Sequence, residues 1–377
     1  EEQWVVDSPV EVDERMGQEL HWTRSNVWEV QGSPFGEPEG ERVREHARRA
    51  TWEGWENEQA ARGAGLDADR IREHRRVPGE EERVEDEQVR KDEEVGMHRR
   101  ILGVDIGGAT TDVFSVFDEH RPEAVIHFAA CSFVGESMED PGKYFANNTV
   151  GSQHLLDALV KFEVKDVVFS STCATYGEPE SMPIGEDTPQ RPVNPYGCSK
   201  LMVEQMLEWY GKVHGVRWAA LRYFNVAGSD PEAEIGEDHD PETHLIPLAI
   251  WAAQGKRDRL SVFGTDYPTP DGTAIRDYIH VWDLVDAHLL ALEHLRAGKG
   301  SLQANLGTGK GHSVREVIDT VGSITGMEVP HVETDRRAGD PPELVADARR
   351  AVEKLQWTPK VSDLPTMVEH AWSWFKK

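Results

Sequence analysis

At 377 residues the chain can bury a sizeable core, as two domains or as one large domain with a lobe. A formal net charge of −28 and a pI near 4.9 exclude nucleic acid and anionic membrane as expected partners, since phosphate-rich surfaces attract basic patches, and leave a small molecule. No run of about 18 apolar residues appears, charge begins at Glu1, and Cys131, Cys173 and Cys198 are an odd set without metal-ligand spacing. A soluble, unsecreted protein of the reducing cytoplasm is therefore expected, without disulfide framework, zinc site or other metal.

Residues 1 to about 100 form an acidic, Arg- and Glu-rich region in which Lys91 is the sole lysine and Trp4, Trp22, Trp28, Trp52 and Trp55 follow no period. Charge runs such as Glu80 to Glu87 point to solvated helix or low order. From Ile101 the texture becomes α/β. Ala124 to Ala130 reads as a buried strand, Tyr144 to Phe162 as a helix with Leu155, Leu156 and Leu159 inward, and Asp166 to Ser171 as the next strand. A helix from Pro195 to about His214, a strand from Trp218 to Phe224 and a helix from Leu245 to Gln254 follow. This alternation implies a Rossmann-like, doubly wound parallel sheet over residues 101–230. Beyond about Asp230 the loops lengthen and prolines multiply, which suggests a smaller substrate lobe over 231–377 with returning strands and helices.

The segment Asn194-Pro195-Tyr196-Gly197-Cys198-Ser199-Lys200 places a phenol and an ammonium four residues apart on one helix face. Asn194 suits the N-cap and Pro195 the first helical position. A nearby Lys⁺, with a cationic cofactor ring beside it, favours the phenolate and makes tyrosine a base near neutrality. The same spacing also fits an amphipathic helix with a solvated lysine. In a doubly wound sheet ligands bind beyond the carboxyl ends of the strands, where Ser170-Ser171-Thr172 and Arg222-Tyr223-Phe224-Asn225 also fall.

Ordered along the chain, VIHFAA (Val125 to Ala130), VGES (Val134 to Ser137), FSSTCATYGEP (Phe169 to Pro179), NPYGCSK, LRYFNVAG (Leu221 to Gly228), HLIP (His244 to Pro247) and VFGTDYPTPDGTAIRDYIHV (Val262 to Val281) accompany that segment. From about Phe114 to the C-terminus the sequence resembles the extended short-chain dehydrogenase/reductase family, within it the nucleotide-sugar epimerases of the UDP-glucose 4-epimerase type. The resemblance implies NAD as cofactor, a UDP-sugar as substrate and a homodimer. It implies that Tyr196 removes the sugar 4′-hydroxyl proton as hydride passes to the nicotinamide ring, that Thr172 partners the same oxygen, and that Lys200 binds the nicotinamide ribose and lowers the tyrosine pKa. Cofactor contacts fall on Asp105, Ile106, Phe128, Ala129, Asn147, Ser170, Lys200 and Tyr223. Substrate contacts fall on Thr172, Asn225, His244, Leu245, Phe263, Arg276 and Arg337, the guanidinium groups suiting pyrophosphate. Leu344 falls near the position that gates pocket width. Cys173 and Ala174 stand where the related 4,6-dehydratases carry an acidic pair, so epimerisation is expected rather than elimination.

The family opens on a strand, a G-x-x-G-x-x-G turn and a helix, and this chain lacks that motif. Asp105-Ile106 reads either as the family's adenine-contacting pair or as part of DIGGATTDVFSV, which resembles a phosphate-binding segment of the acetate kinase/Hsp70/actin superfamily, especially MutL. A switch near Asp112 to Phe117 into an epimerase without its first strands and helix is expected, by gene fusion, a faulty reading frame or an acidic extension. Two functional readings follow: an active epimerase, or a nucleotide-sugar-binding protein of the same fold impaired in NAD binding. Because ordering costs about 1–2 kcal/mol per residue and the first 100 residues offer little periodic apolar surface, limited proteolysis should yield a stable fragment beginning between about Met97 and Val116. Retention of Trp4 to Trp55, read by mass spectrometry while other exposed loops are cut, would contradict this.

Overall fold

A computed structural model describes residues 113–239, 241–337 and 340–377, together with the backbone of two strands, β1 (Asn26–Glu29) and β2 (Ile101–Asp105). The rest of the acidic region, Ile106 and the Gly107-Gly108 segment lie outside the described residues. The Asp105 backbone ends β2.

Three strands rich in apolar residues follow: β3 (Ala124–His127), β4 (Asp166–Thr172) and β5 (Arg217–Tyr223). Every residue of β3 and β4 is buried, as expected of strands covered on both faces. Two ends differ from the expected ones, β3 stopping at His127 and β4 running on to Thr172. The second half of the chain supplies β6 (Asn225–Ala227), β7 (Leu260–Phe263), β8 (Ile275–His280), β9 (Leu302–Leu306), β10 (Gly311–Ser313), β11 (His331–Thr334) and β12 (Glu343–Leu344). The main sheet runs β1-β2-β3-β4-β5-β9, parallel throughout except for β1 on β2. β8 pairs with β10, β12 and β6, and β7 pairs with β11.

Helices cover both faces of the sheet. On one face α1 (Val113–His120), α4 (Gly151–Lys161) and α5 (Pro195–His214) bury Phe117, Leu155, Leu159, Val203 and Leu207 against Val125, Val167 and Phe169. Between α1 and α4 lie two short helices, α2 (Val134–Glu139) and α3 (Pro141–Tyr144). On the other face α7 (Val281–Arg296) and α9 (Arg349–Leu355) pack Leu284, Leu292, Leu295 and Leu355 against Val168, Leu221 and Ala304. A third core joins α6 (Leu245–Ala253), α8 (Val314–Thr325) and α10 (Leu364–Phe375) to β7. Among the described residues no helix is long and apolar enough to cross a membrane.

The helix expected over Tyr144 to Phe162 is interrupted by a π-helical turn, Phe145–Val150. The wider turn points Asn148 inward, where it accepts from the Cys131 N–H at 2.8 Å and donates to the Cys131 carbonyl at 2.9 Å and to Ser199 Oγ at 3.0 Å.

Beneath the carboxyl ends of β4 and β5 lies a buried ion pair. Arg222 on β5 and Glu204 on α5 have side chains only 1% and 2% exposed, with Nη2 to Oε2 at 2.6 Å. Replacing Glu204 with Leu strands the guanidinium and should destabilise the chain by about 3–5 kcal/mol in urea unfolding, whereas Glu204→Leu/Arg222→Met should recover much of that loss. A single-variant cost under about 1 kcal/mol would show the pair to be relaxed by water.

Candidate active site

The start of α5 is fixed by its own residues. Asn194 accepts from the Gly197 N–H at 2.8 Å, and Pro195 stands in the first turn. Gly197 is required by contact: a Cβ there would lie 2.4 Å from the Ala174 carbonyl oxygen, in the turn Cys173–Tyr176 that follows β4. That close approach brings Tyr196 near Thr172, whose side chain favours the phenolate. Thr172 Oγ1 also accepts from the Ala174 N–H at 3.2 Å. The Tyr144 ring meets Tyr196 edge-on, with centroids 6.4 Å apart.

Lys200, one turn further along α5, is 3% exposed rather than solvated. Its Nζ donates to the Ser170 carbonyl at 2.8 Å. Ser170 Oγ is 2.7 Å from His288 Nε2, and His288 Nδ1 is 2.8 Å from the Leu284 carbonyl. Because a carbonyl only accepts, Nδ1 carries the proton and Nε2 accepts from Ser170. Burial pushes His288 down to about 4 and keeps it neutral. Burial, reinforced by Tyr223, pushes the Tyr196 phenol well above its ordinary value, against the pull of Thr172. Desolvation is the largest of these effects on the phenol.

Tyr196, Thr172 and Tyr223 border a cavity of about 680 Å³ between the main sheet and the lobe, whereas Lys200, Ser170 and His288 are not among its lining residues. Phe128, Thr172, Tyr196, Tyr223, Asn225, His244, Arg276 and Leu344 line it, as do Cys173 and Ala174. Arg276 enters from β8, hydrogen-bonded to Asp340 and, through Nη1, to the Ile275 carbonyl at 2.7 Å. Other expected contacts fall outside the lining. Ala129 is buried in the core beneath, Leu245 packs into the lobe core, and Asn147 lies on the π turn, donating to Asn148 at 3.0 Å. The Arg337 guanidinium stacks 3.9 Å over the Phe263 ring. The charge at Arg337 is thus held by an aromatic face.

His288 and Glu204, which support the strand-end residues Ser170 and Ser171, gave no sequence signal. Ser170 and His288 are 118 positions apart, and Ser171 donates to Glu204 at 2.5 Å across 33 positions. Arg222, which falls among the strand-end candidates, is paired to Glu204 and holds Tyr176 OH through Nη1 at 2.8 Å.

A buried ammonium, a buried phenol and strand-end hydroxyls grouped at the carboxyl ends of β3, β4 and β5 define an α/β dinucleotide enzyme site. The family model "NAD dependent epimerase/dehydratase family" matches residues 68–307, and the chain belongs to that family. It is 51% identical over 263 residues to UDP-glucose 4-epimerase from Halalkalibacterium halodurans, covering 70% of this chain and 79% of that protein. The crystal structure of UDP-glucose 4-epimerase from Brucella ovis in complex with NAD is 53% identical, with a TM-score of 0.68 over 70% of this chain and 81% of that one. The enzyme from Bifidobacterium longum in complex with NAD⁺ and UDP is 37% identical, with a TM-score of 0.67 over 71% and 82%. The family match begins well ahead of Phe114.

The depressed His288 sets a pH dependence. Its folded-state value, about 4, lies below the ordinary 6.5, so between them the unfolded chain binds the extra proton. This contribution to stability is complete above about pH 6.5 and is lost as pH falls toward 4. His288→Gln should flatten the urea-midpoint profile across that window, and an unchanged slope would show that His288 titrates normally.

Proposed function

We propose that this chain catalyses NAD-dependent epimerisation at C4 of a UDP-hexose of the UDP-glucose/UDP-galactose type. The observation that carries the proposal is the placing of Tyr196 and Thr172 on the wall of one cavity, with the buried Lys200 one turn behind Tyr196 on α5. The donor set suits the nicotinamide ribose: a buried ammonium at Lys200, with Ser170 and Tyr223 at the neighbouring strand ends. When bound, NAD supplies a nicotinamide ring that accepts hydride from C4 and returns it. The chain's own residues handle the proton and the geometry. Tyr196 Oη takes the proton of the 4-hydroxyl and gives it back, while the Thr172 hydroxyl holds the same sugar oxygen. Lys200 stabilises the phenolate by its charge, and the buried surroundings keep competing water out. The sugar then turns within the cavity and presents its other face. Arg276 and Asn225 are assigned to the pyrophosphate, and Arg337, Phe263, Leu245 and His244 to the nucleotide side. Asp105, Ile106, Phe128, Ala129 and Asn147 are assigned to the remainder of the cofactor.

The proposal extends to a homodimer. Met202, Trp209 and Val213 on α5 and Val150 on the π turn are exposed apolar side chains, Trp209 64% exposed, and suit a second copy of this surface.

The test is turnover of UDP-galactose to UDP-glucose together with the absorbance and mass of small molecules released on denaturation. Absence of both bound NAD and NAD-restored turnover would refute the proposal. Tyr196→Phe should keep the fold and cost at least ~100-fold in turnover, since positioned proton transfer contributes roughly 10²–10⁴-fold. Lys200→Met should move the pH profile of kcat upward, because the phenolate loses its cationic neighbour. A loss under tenfold in the first or a superimposable profile in the second would remove the assigned role.

A further inference from the structure

The loop between β6 and α6 carries Glu237, His239, Glu242 and His244 in an E-x-H-x-x-E-x-H spacing. One ligand atom from each of the four side chains lies within 4.8 Å of all the others. His244 Nδ1 is 2.7 Å from Glu237 Oε1 and 2.9 Å from Glu242 Oε1, and His239 Nδ1 is 2.9 Å from Glu237 Oε1. His239 Nδ1 is 3.8 Å from Glu242 Oε2. A four-coordinate zinc ion with bonds of about 2.0–2.1 Å sets neighbouring ligand atoms about 3.3 Å apart, a spacing that lies between the shortest and longest of these pairs, with Glu242 entering through a different oxygen in each of its two.

Hydrogen bonds among protonated histidines and carboxylates account for part of this cluster. They leave one group unexplained. The Glu242 side chain is fully buried, its Oε1 accepts from the backbone N–H groups of Thr243 and His244 at 2.6 and 2.7 Å, and its Oε2 has no hydrogen-bond partner. A buried carboxylate oxygen without a donor calls for a cation. Two imidazoles with two carboxylates form a donor set suited to zinc and its transition-metal neighbours, whereas calcium and magnesium favour all-oxygen sites.

We infer that Glu237, His239, Glu242 and His244 form a binding site for one divalent transition-metal ion of the zinc class. Glu237, His239 and His244 also line the cavity, so the ion clamps the loop that forms its wall. The loop is already anchored on one side. Trp374 on α10 donates to the Glu237 carbonyl at 2.9 Å, and a Cβ at Gly236 would lie 2.0 Å from the Trp374 ring. The metal fastens the other side, joining the residues before α6 to those after β6. His244, which the family resemblance places at the nucleotide, is thereby a ligand to the ion.

The test uses the untagged full chain, stripped with EDTA and titrated with zinc chloride by calorimetry. One equivalent should bind, and cobalt(II) in its place should give the visible d–d absorption of a four-coordinate nitrogen and oxygen site. His239→Ala and Glu242→Gln should each weaken zinc binding at least ~100-fold, while His331→Ala, remote in sequence and exposed, should not. Should the variants fold poorly by circular dichroism, the wild-type chain still decides: its Tm should fall on stripping and return with zinc but not with magnesium. Absence of a one-equivalent isotherm, equal affinity in the His239 and Glu242 variants, or a Tm indifferent to zinc would each overturn the assignment.

Discussion

The contact between Arg222 and Glu204 is the constraint on which the working end of this molecule depends. Two opposite charges have been taken out of water, and they are tolerated only because their remaining hydrogen-bonding capacity is met by Ser171, Gln190 and Tyr176. Those partners come from β4, from the stretch before α5 and from the turn after β4, while Tyr176 continues to Asn305 on β9 at 2.7 Å. Six parts of the chain are therefore bound to one geometry. α5 cannot slide along the sheet without stranding a charge, and α5 is the element that carries Tyr196 and Lys200. Positional accuracy of this kind is what proton transfer needs, because small displacements of a base from its proton cost large factors in rate.

Above that pair the site is assembled by demands that single residues make on the backbone. Gly197 permits α5 to touch the turn after β4, and the touch sets the distance between Tyr196 and Thr172. Lys200 reaches the carbonyl of Ser170 while His288 holds the hydroxyl of the same residue, so one serine is fixed from both its backbone and its side chain. The phenol sits in a dry environment that opposes its ionisation.

The lobe supplies the opposite wall of the cavity with Arg276 already restrained by hydrogen bonds to Asp340 and to a backbone carbonyl, while Arg337, outside the lining, is stacked on Phe263. Guanidinium groups held in this way lose less conformational freedom on meeting a pyrophosphate than free ones. The loop from Glu237 to His244 joins the two walls, and a metal there would make the cavity's shape a property of the loop rather than of the ligand.

The sequence by itself determined the order of strands and helices from Ala124 to about Gln254, because buried strands of a parallel sheet are nearly continuous apolar runs and helix starts carry local caps. It also determined the pairing of Tyr196 with Lys200, since four residues on a helix amount to about one turn whatever the surroundings. The π turn at Phe145–Val150 was invisible, because it answers to Asn148 meeting Cys131 and Ser199 rather than to any local periodicity. His288, Glu204 and the convergence of Glu237, His239, Glu242 and His244 were settled only by tertiary structure. For the last of these the loop spacing is legible in the sequence, but only the folded loop brings the four side chains together. The extent to which the Tyr196 phenol is desolvated was likewise beyond the sequence, because it depends on everything packed around the ring.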